Sequence, residues 1–234
     1  MDYPQVKKTL DGERLMSMFE RMVDPLGAAL PSSCEIVLHD FSKLPSSIVA
    51  IHGTLTGRKP GDPITDLLLR QAVNDDQADS IVGYTTHAPD GRRLWSSTFF
   101  VRDSTGQLQG ALCVNVDVSQ WEAIERIARA ILPPGVGEPL LEGLDLGHTD
   151  PAREQFVSDL NELSERMLAS CIEQQNTPVS SLKKHQKVEI VRNLRERGFF
   201  MLKEATDLVA DALKVSKFTI YNYLNEIESE AGGS

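Results

Sequence analysis

Near the start of the chain Leu15, Met18, Phe19 and Met22 fall at i, i+3, i+4 and i+7, which predicts a one-faced helix from about Asp11 to Val23, ended by Pro25. Two short β-rich runs follow, Cys34 to Asp40 and Ser47 to Ile51. Asp62-Pro63 has the form of an N-cap with proline at the first helical position, so a helix is predicted from there through Leu67, Leu68 and Leu69 to about Val73. A strand is predicted over 81–86, closed by the Asp90-Gly91 turn. Longer strands at 93–101 and 110–118 are joined by a segment containing Gly106, the composition of a hairpin.

Strands, short helices and then a long hairpin predict an α+β fold, with a PAS-like antiparallel sheet and helices over residues 1–132. Pro133, Pro134, Gly135, Gly137 and Pro139 open a linker, 133–149. Asp150-Pro151 repeats the cap signature and predicts a connecting helix over 150–176. Its seam of Phe156, Leu160, Leu163, Met167 and Cys171 suits packing within one domain or pairing between two copies. Residues 180–228 then read as an all-α module. A Lys-rich helix runs from Leu182 to about Glu196 and is stopped by Gly198. The apolar run from Phe199 to Leu202 crosses a small core. Two short helices follow, apolar at Ala205, Leu208, Val209 and Ala212 and at Ile220, Tyr223, Leu224 and Ile227, and they are joined by Lys214-Val215-Ser216.

Charge changes the picture only when counted by segment. The formal net charge of -10 opposes a nucleic-acid partner, because DNA affinity comes largely from cations that neutralise phosphates. Residues 182–227, however, hold nine Lys and Arg against six acids, a net +3, while residues 1–181 hold fifteen against twenty-six. The chain is an acidic body with a mildly basic end. Cys34, Cys113 and Cys171 are scattered without metal-ligand spacing, so no metal site is expected and a reducing, cytoplasmic location is. No apolar run approaches the ~18 residues that would span a bilayer, and no membrane association is expected.

The joined helices are where chemistry concentrates. Ser216 is placed as the N-cap of the second helix. Ala210 is small where the two helices of a helix-turn-helix approach, and Val215 and Ile220 fall where that motif buries apolar groups. Lys217, Phe218, Thr219, Tyr221 and Asn222 are left outward at the start of the second helix. Such a helix fits a major groove about 12 Å wide. Lys217 suits a phosphate or guanine edge, Asn222 an adenine, and Tyr221 a phosphate or thymine methyl. The plainer alternative is a helical hairpin that packs or dimerises. Lys214 stands where glycine is usual, because φ is often positive at that turn position.

Through these residues the sequence resembles the YheO-like family of bacterial transcriptional regulators. The stretch from Cys34 to Asp40, Ser47 to Ile51, Gly57-Arg58, Gly61 to Asp66 and Asp90-Gly91-Arg92 carry the resemblance. So do Ser96-Ser97-Thr98, Val101-Arg102-Asp103, Gly110 to Asn115 and Val209 to Leu224. The resemblance implies an N-terminal PAS-like ligand-sensing domain joined to a helix-turn-helix, and transcription controlled by a small polar metabolite, for example an amino acid such as D-arginine. Repression is the direction of control expected.

Strand parity suggests where an effector would bind. His39, Ser97 and Asn115 are polar on three strands, with Trp95 and Cys113 as same-strand companions; if those faces coincide they line a semi-polar pocket. Each residue is equally explained as a satisfied core group. Arg58 and Asp66, with Thr65, would serve the ligand from the neighbouring turn and helix, or act as caps and surface charges. No cofactor is expected: His39, His52, His87 and Cys113 are the only conceivable haem or flavin ligands, and none stands in an attachment motif. A homodimer or higher homo-oligomer is expected, because a small basic module makes few phosphate contacts and two half-sites multiply them. The rival readings are a dimerising adaptor that never touches DNA and, from His39-Asp40 near Ser46 and Ser47, a small-molecule enzyme. The latter shows neither a nucleophile elbow nor a phosphate or dinucleotide fingerprint.

Overall fold

The computed structural model describes residues 8–74, 77–131, 156–157 and 159–231. The chain begins with α1, Leu10–Ala29, entered through Thr9, whose hydroxyl accepts the Gly12 amide at 3.0 Å. Against expectation α1 runs through Pro25. Proline removes one backbone donor there, but the face carrying Met16, Val23 and Gly27 is buried on both sides of it, and continued burial favours the helix. Gly27 is required by that packing, since an added Cβ would lie 2.2 Å from the His52 ring.

The sheet comprises β1 (Cys34–Asp40), β2 (Ile48–His52), β3 (Ser80–His87), β4 (Arg93–Arg102) and β5 (Leu108–Asp117), all antiparallel, in the order β2-β1-β5-β4-β3. Alternation of side chains gives it two unlike faces. The outer face sets Ile36, Leu38 and Val101 against Met16 and Val23 of α1. α1 leaves Val82 and Phe99 exposed at the far side of that face.

Between β2 and β3 lies α2, Asp66–Asn74. It does not start at Asp62-Pro63. The Asp62 carboxylate instead accepts the Lys59 amide at 2.9 Å, and the Thr65 hydroxyl accepts the Leu68 amide at the helix entry. After β5 an unforeseen helix, α3 (Ser119–Ile131), starts where the Asp117 carboxylate accepts the Ser119 amide at 2.9 Å. Trp121, Ile124, Ile127 and Ile131 stand exposed along it.

The predicted linker 133–149 and the cap at Asp150-Pro151 lie outside the described residues. α4, Leu160–Glu173, is capped by Asp159, whose carboxylate accepts the Asn161 amide at 3.0 Å. Its seam residues Leu163, Met167 and Cys171 are buried in the chain's own core, so this seam packs internally and does not present a pairing face. α5 (Lys184–Glu196), α6 (Ala205–Leu213) and α7 (Lys217–Ala231) complete the bundle. Phe199 and Phe200 cross the core edge-to-face with ring centroids 5.9 Å apart, as their run of apolar neighbours anticipated.

Sheet module and bundle share one core. Val37, Phe41, Ile48, Ile64, Leu68 and Leu69 are continuous with Val191, Leu194 and Phe199. At the junction Gly198, with φ of 78°, closes α5 against α2: an added Cβ would stand 2.7 Å from Val73 Cγ2. The Asn74 amide side chain donates to the Glu196 carbonyl at 2.9 Å, and the Arg197 guanidinium is paired with the Asp66 carboxylate. Arg197 also donates to Cys171 Sγ at 3.1 Å, so one side chain ties α2, α4 and the end of α5. Burial works against the Arg197 charge, but Asp66 outweighs it and leaves the guanidinium pKa above its ordinary value.

Candidate nucleic-acid interface and sheet face

α6 ends in a left-handed residue, Lys214, at φ 53° and ψ 53°. The Val215 amide reaches the Ala210 carbonyl at 3.0 Å and the Lys214 amide that of Asp211 at 3.2 Å, the two bonds of a Schellman stop. Lys214 therefore takes the positive φ usual for glycine at this turn. Chain direction then turns into α7, where Ser216 Oγ accepts the Thr219 amide at 3.1 Å, the expected cap. Ala210 is buried between the helices, and Ile220, Tyr223, Leu224 and Ile227 bury the inner side of α7.

What remains outward is a compact polar and aromatic surface. Ser216, Lys217, Phe218, Tyr221 and Asn222 are exposed and Thr219 is half-buried. Phe218 is 73% exposed and Tyr221 47%, although neither ring is needed for the bundle core. Lys217 is paired with the Asp207 carboxylate of α6, so its ammonium is held at the lip of the turn.

The basic character of the module is more limited than its +3 suggests. Lys184, Arg192 and Arg195 on α5 pair with Glu226, Glu230 and Glu228 on the far half of α7, at 2.8, 2.6 and 3.3 Å. Lys187 donates to the Leu213 carbonyl at 2.8 Å and caps α6. These cations brace the bundle. Lys183, Lys203 and Lys214 make no ion pair among the described residues.

On the sheet, register decides which polar groups meet. Asn115 lies opposite Glu35 on β1 and Ser96 on β4. Ser97 and Trp95 pair with Val114 and Val116, which puts them on the other face, away from His39 and Asn115. The expected grouping of Ser97 and Trp95 with Asn115 is thus corrected. Ser97 Oγ accepts the Gly83 amide at 3.1 Å, and the Trp95 ring packs close to Gly83.

The inner face instead carries a connected chain of buried groups. Thr86 Oγ1 lies 2.6 Å from Ser96 Oγ, and Ser96 Oγ donates to Asn115 Oδ1 at 2.8 Å. Asn115 Nδ2 donates to Glu35 Oε1 at 3.2 Å. Thr56 closes on Glu35 with its amide (2.9 Å) and hydroxyl (2.8 Å), and Arg58 Nε donates to Thr56 Oγ1 at 3.2 Å. Glu35 is wholly buried and was missed, because in sequence it is one acid inside an apolar run. Arg58 is buried and lies over the Phe156 ring, 4.6 Å from its centroid.

His39 sits on the same face with Nδ1 2.7 Å from Ser47 Oγ, while Nε2 has no hydrogen-bond partner among the described residues. Burial first, and the Arg58 charge second, hold its pKa well below the ordinary histidine value. Asp66 does not join this face: it lines the junction between α2 and α4. Among the described residues no group of three or more His, Cys, Asp or Glu could hold a metal ion. No helix among them is long and apolar enough to cross a membrane.

A five-stranded antiparallel sheet flanked by helices, joined to a bundle whose α6 and α7 form a tight helix-turn-helix, defines a two-module protein of PAS-plus-helix-turn-helix type. The chain belongs to the YheO-like PAS domain family, whose profile matches residues 10–133, and a helix-turn-helix domain profile matches residues 163–225. It is 34% identical over 218 residues to YheO of Escherichia coli (strain K12), covering 92% of this chain and 85% of that protein. It is 26% identical over 211 residues to the transcriptional regulator DauR of Pseudomonas aeruginosa, covering 90% of this chain and 93% of that protein.

Proposed function

We propose that this chain is a cytoplasmic transcriptional regulator, and no enzyme, that binds operator DNA through the start of α7 and represses in response to a small polar metabolite sensed by the sheet module. The observation that carries the reading is the outward face of α7. A Schellman stop and a serine cap fix the angle of that helix, and its first turns offer Lys217, Phe218, Tyr221 and Asn222 to solvent rather than to the core. A helix N-terminus so presented enters a major groove with its first residues at base edges. The match to a helix-turn-helix domain and the name of the Pseudomonas relative support the same reading.

Metabolite control is supported by the buried polar chain from Arg58 through Glu35 to Thr86. Polar groups are costly inside a sheet module unless satisfied, and here an effector would exchange bonds with groups already aligned. Two copies acting together would double the phosphate contacts that this weakly basic module supplies, and the exposed stripe on α3 supports pairing.

The test is a mobility shift on the DNA upstream of the protein's own gene. Retardation that weakens about 5- to 150-fold in Lys217→Ala and Asn222→Ala, with unchanged melting temperature, is expected from the loss of ~1–3 kcal/mol per base contact. No retarded band at low salt, or retardation by both variants equal to that of the parent chain, overturns the reading.

A further inference from the structure

Between α2 of the sheet module and α4 of the bundle lies a cavity of about 570 Å³, within the size range of small-molecule sites, roughly 300–1,000 Å³. Its walls are not the polar chain of the inner sheet face. Asp66 and Arg70 come from α2, Arg166, Ser170 and Glu173 from α4, and Arg197 from the end of α5. Leu163 and Met167 contribute buried apolar floor. Three guanidiniums against two carboxylates leave the lining at net +1 in a chain whose total is -10.

Two of the guanidiniums already hold anions: Arg197 the Asp66 carboxylate and Arg166 that of Glu162, just outside the cavity. Arg70 makes no ion pair among the described residues, and its position on α2 faces the same space as Arg197. A planar fork of donors beside a second guanidinium is the arrangement that takes a carboxylate in paired bonds. Ser170 Oγ, 3.4 Å from Arg197 Nη1, adds a hydroxyl able to meet a neighbouring oxygen.

We propose that this junction cavity binds a small organic carboxylate through Arg70 and Arg197, and that the bound anion competes with Asp66 for Arg197, the side chain that ties the sheet module to the bundle. Occupancy there changes how firmly α2 holds the end of α5. It thereby couples a metabolite to the helices that carry α7. The site goes beyond the DNA reading and does not depend on it, since binding is measured without DNA.

The test is a thermal-shift panel on the full chain with lactate, pyruvate, malate, succinate, 2-oxoglutarate and citrate at ~5 mM, each against chloride of equal ionic strength. At least one carboxylate is expected to raise the melting temperature by ~2 °C or more above its chloride control, as ligand linkage requires. Arg70→Ala, an exposed position, should melt within ~1 °C of the parent chain and lose at least about half of that shift. No carboxylate exceeding chloride overturns the proposal, as does a shift undiminished in Arg70→Ala. A failed mobility shift beside a positive thermal shift sinks only the DNA reading, and the reverse result sinks only this one.

Discussion

His39 shows what burial does to one residue. In the folded chain its pKa lies well below the ordinary 6.5, chiefly because the ring has no access to water. In the unfolded chain the ring titrates normally, so below about pH 6.5 the unfolded state binds the extra proton and stability falls as pH falls. The slope from one such group approaches about 1.4 kcal/mol per pH unit. Urea midpoints between about pH 7.5 and 5.5 should decline more steeply for the parent chain than for His39→Gln, and equal slopes would contradict this. The same scale shows how far sequence reaches. His39 and Asn115 were identified as polar on alternate positions, and they do share a face. Ser97 was not distinguishable from Ser96, because two adjacent serines satisfy either parity. Only the pairing of Ser96 with Asn115 settles which one points inward. Glu35 carried no signal, since what makes it notable is Thr56 and Asn115 arriving from segments far away in the chain.

At the scale of elements, local rules placed the strands and the turn between α6 and α7, and failed where packing overrode them. Pro25 looked like a stop, yet α1 continues because Val23 and Gly27 lie on one buried face. Asp62-Pro63 looked like a cap, but Asp62 holds a loop amide and Thr65 takes its place. The α6–α7 turn is the sharper case. A lysine at φ 53° adopts a conformation that costs a non-glycine residue about 1–2 kcal/mol. Lys214→Gly should therefore raise stability by about 0.5–1 kcal/mol, measured by chemical denaturation. A destabilised variant would show that the Schellman stop depends on the lysine side chain. The cations of α5 teach a related lesson: charge in sequence suggested a phosphate surface, whereas most of it braces α5 against α7.

For the whole molecule, the two modules are joined by one core, by Gly198 packed on α2 and by the Arg197–Asp66 pair, so a change in either is felt in the other. The seam of α4 is consumed by that core. A second copy would then meet the stripe of Trp121, Ile124, Ile127 and Ile131 on α3, which no described part of the chain covers. Light scattering is expected to give a dimer mass for the parent chain and a smaller one for Ile127→Glu, at unchanged melting temperature; a monomeric parent chain would exclude pairing. By itself the sequence determined the α+β order, the antiparallel hairpin, and a helix-turn-helix with Ser216 as cap, Ile220 inside and Lys217, Phe218, Tyr221 and Asn222 outward. Those features depend on periodicity and turn chemistry, which act over a few residues. Tertiary structure alone decided which serine faces Asn115, that Glu35 is buried among hydroxyls, and that Asp66 leaves the sheet face to hold Arg197. Each of these brings together residues far apart in the chain, and register and packing, rather than local pattern, set such meetings.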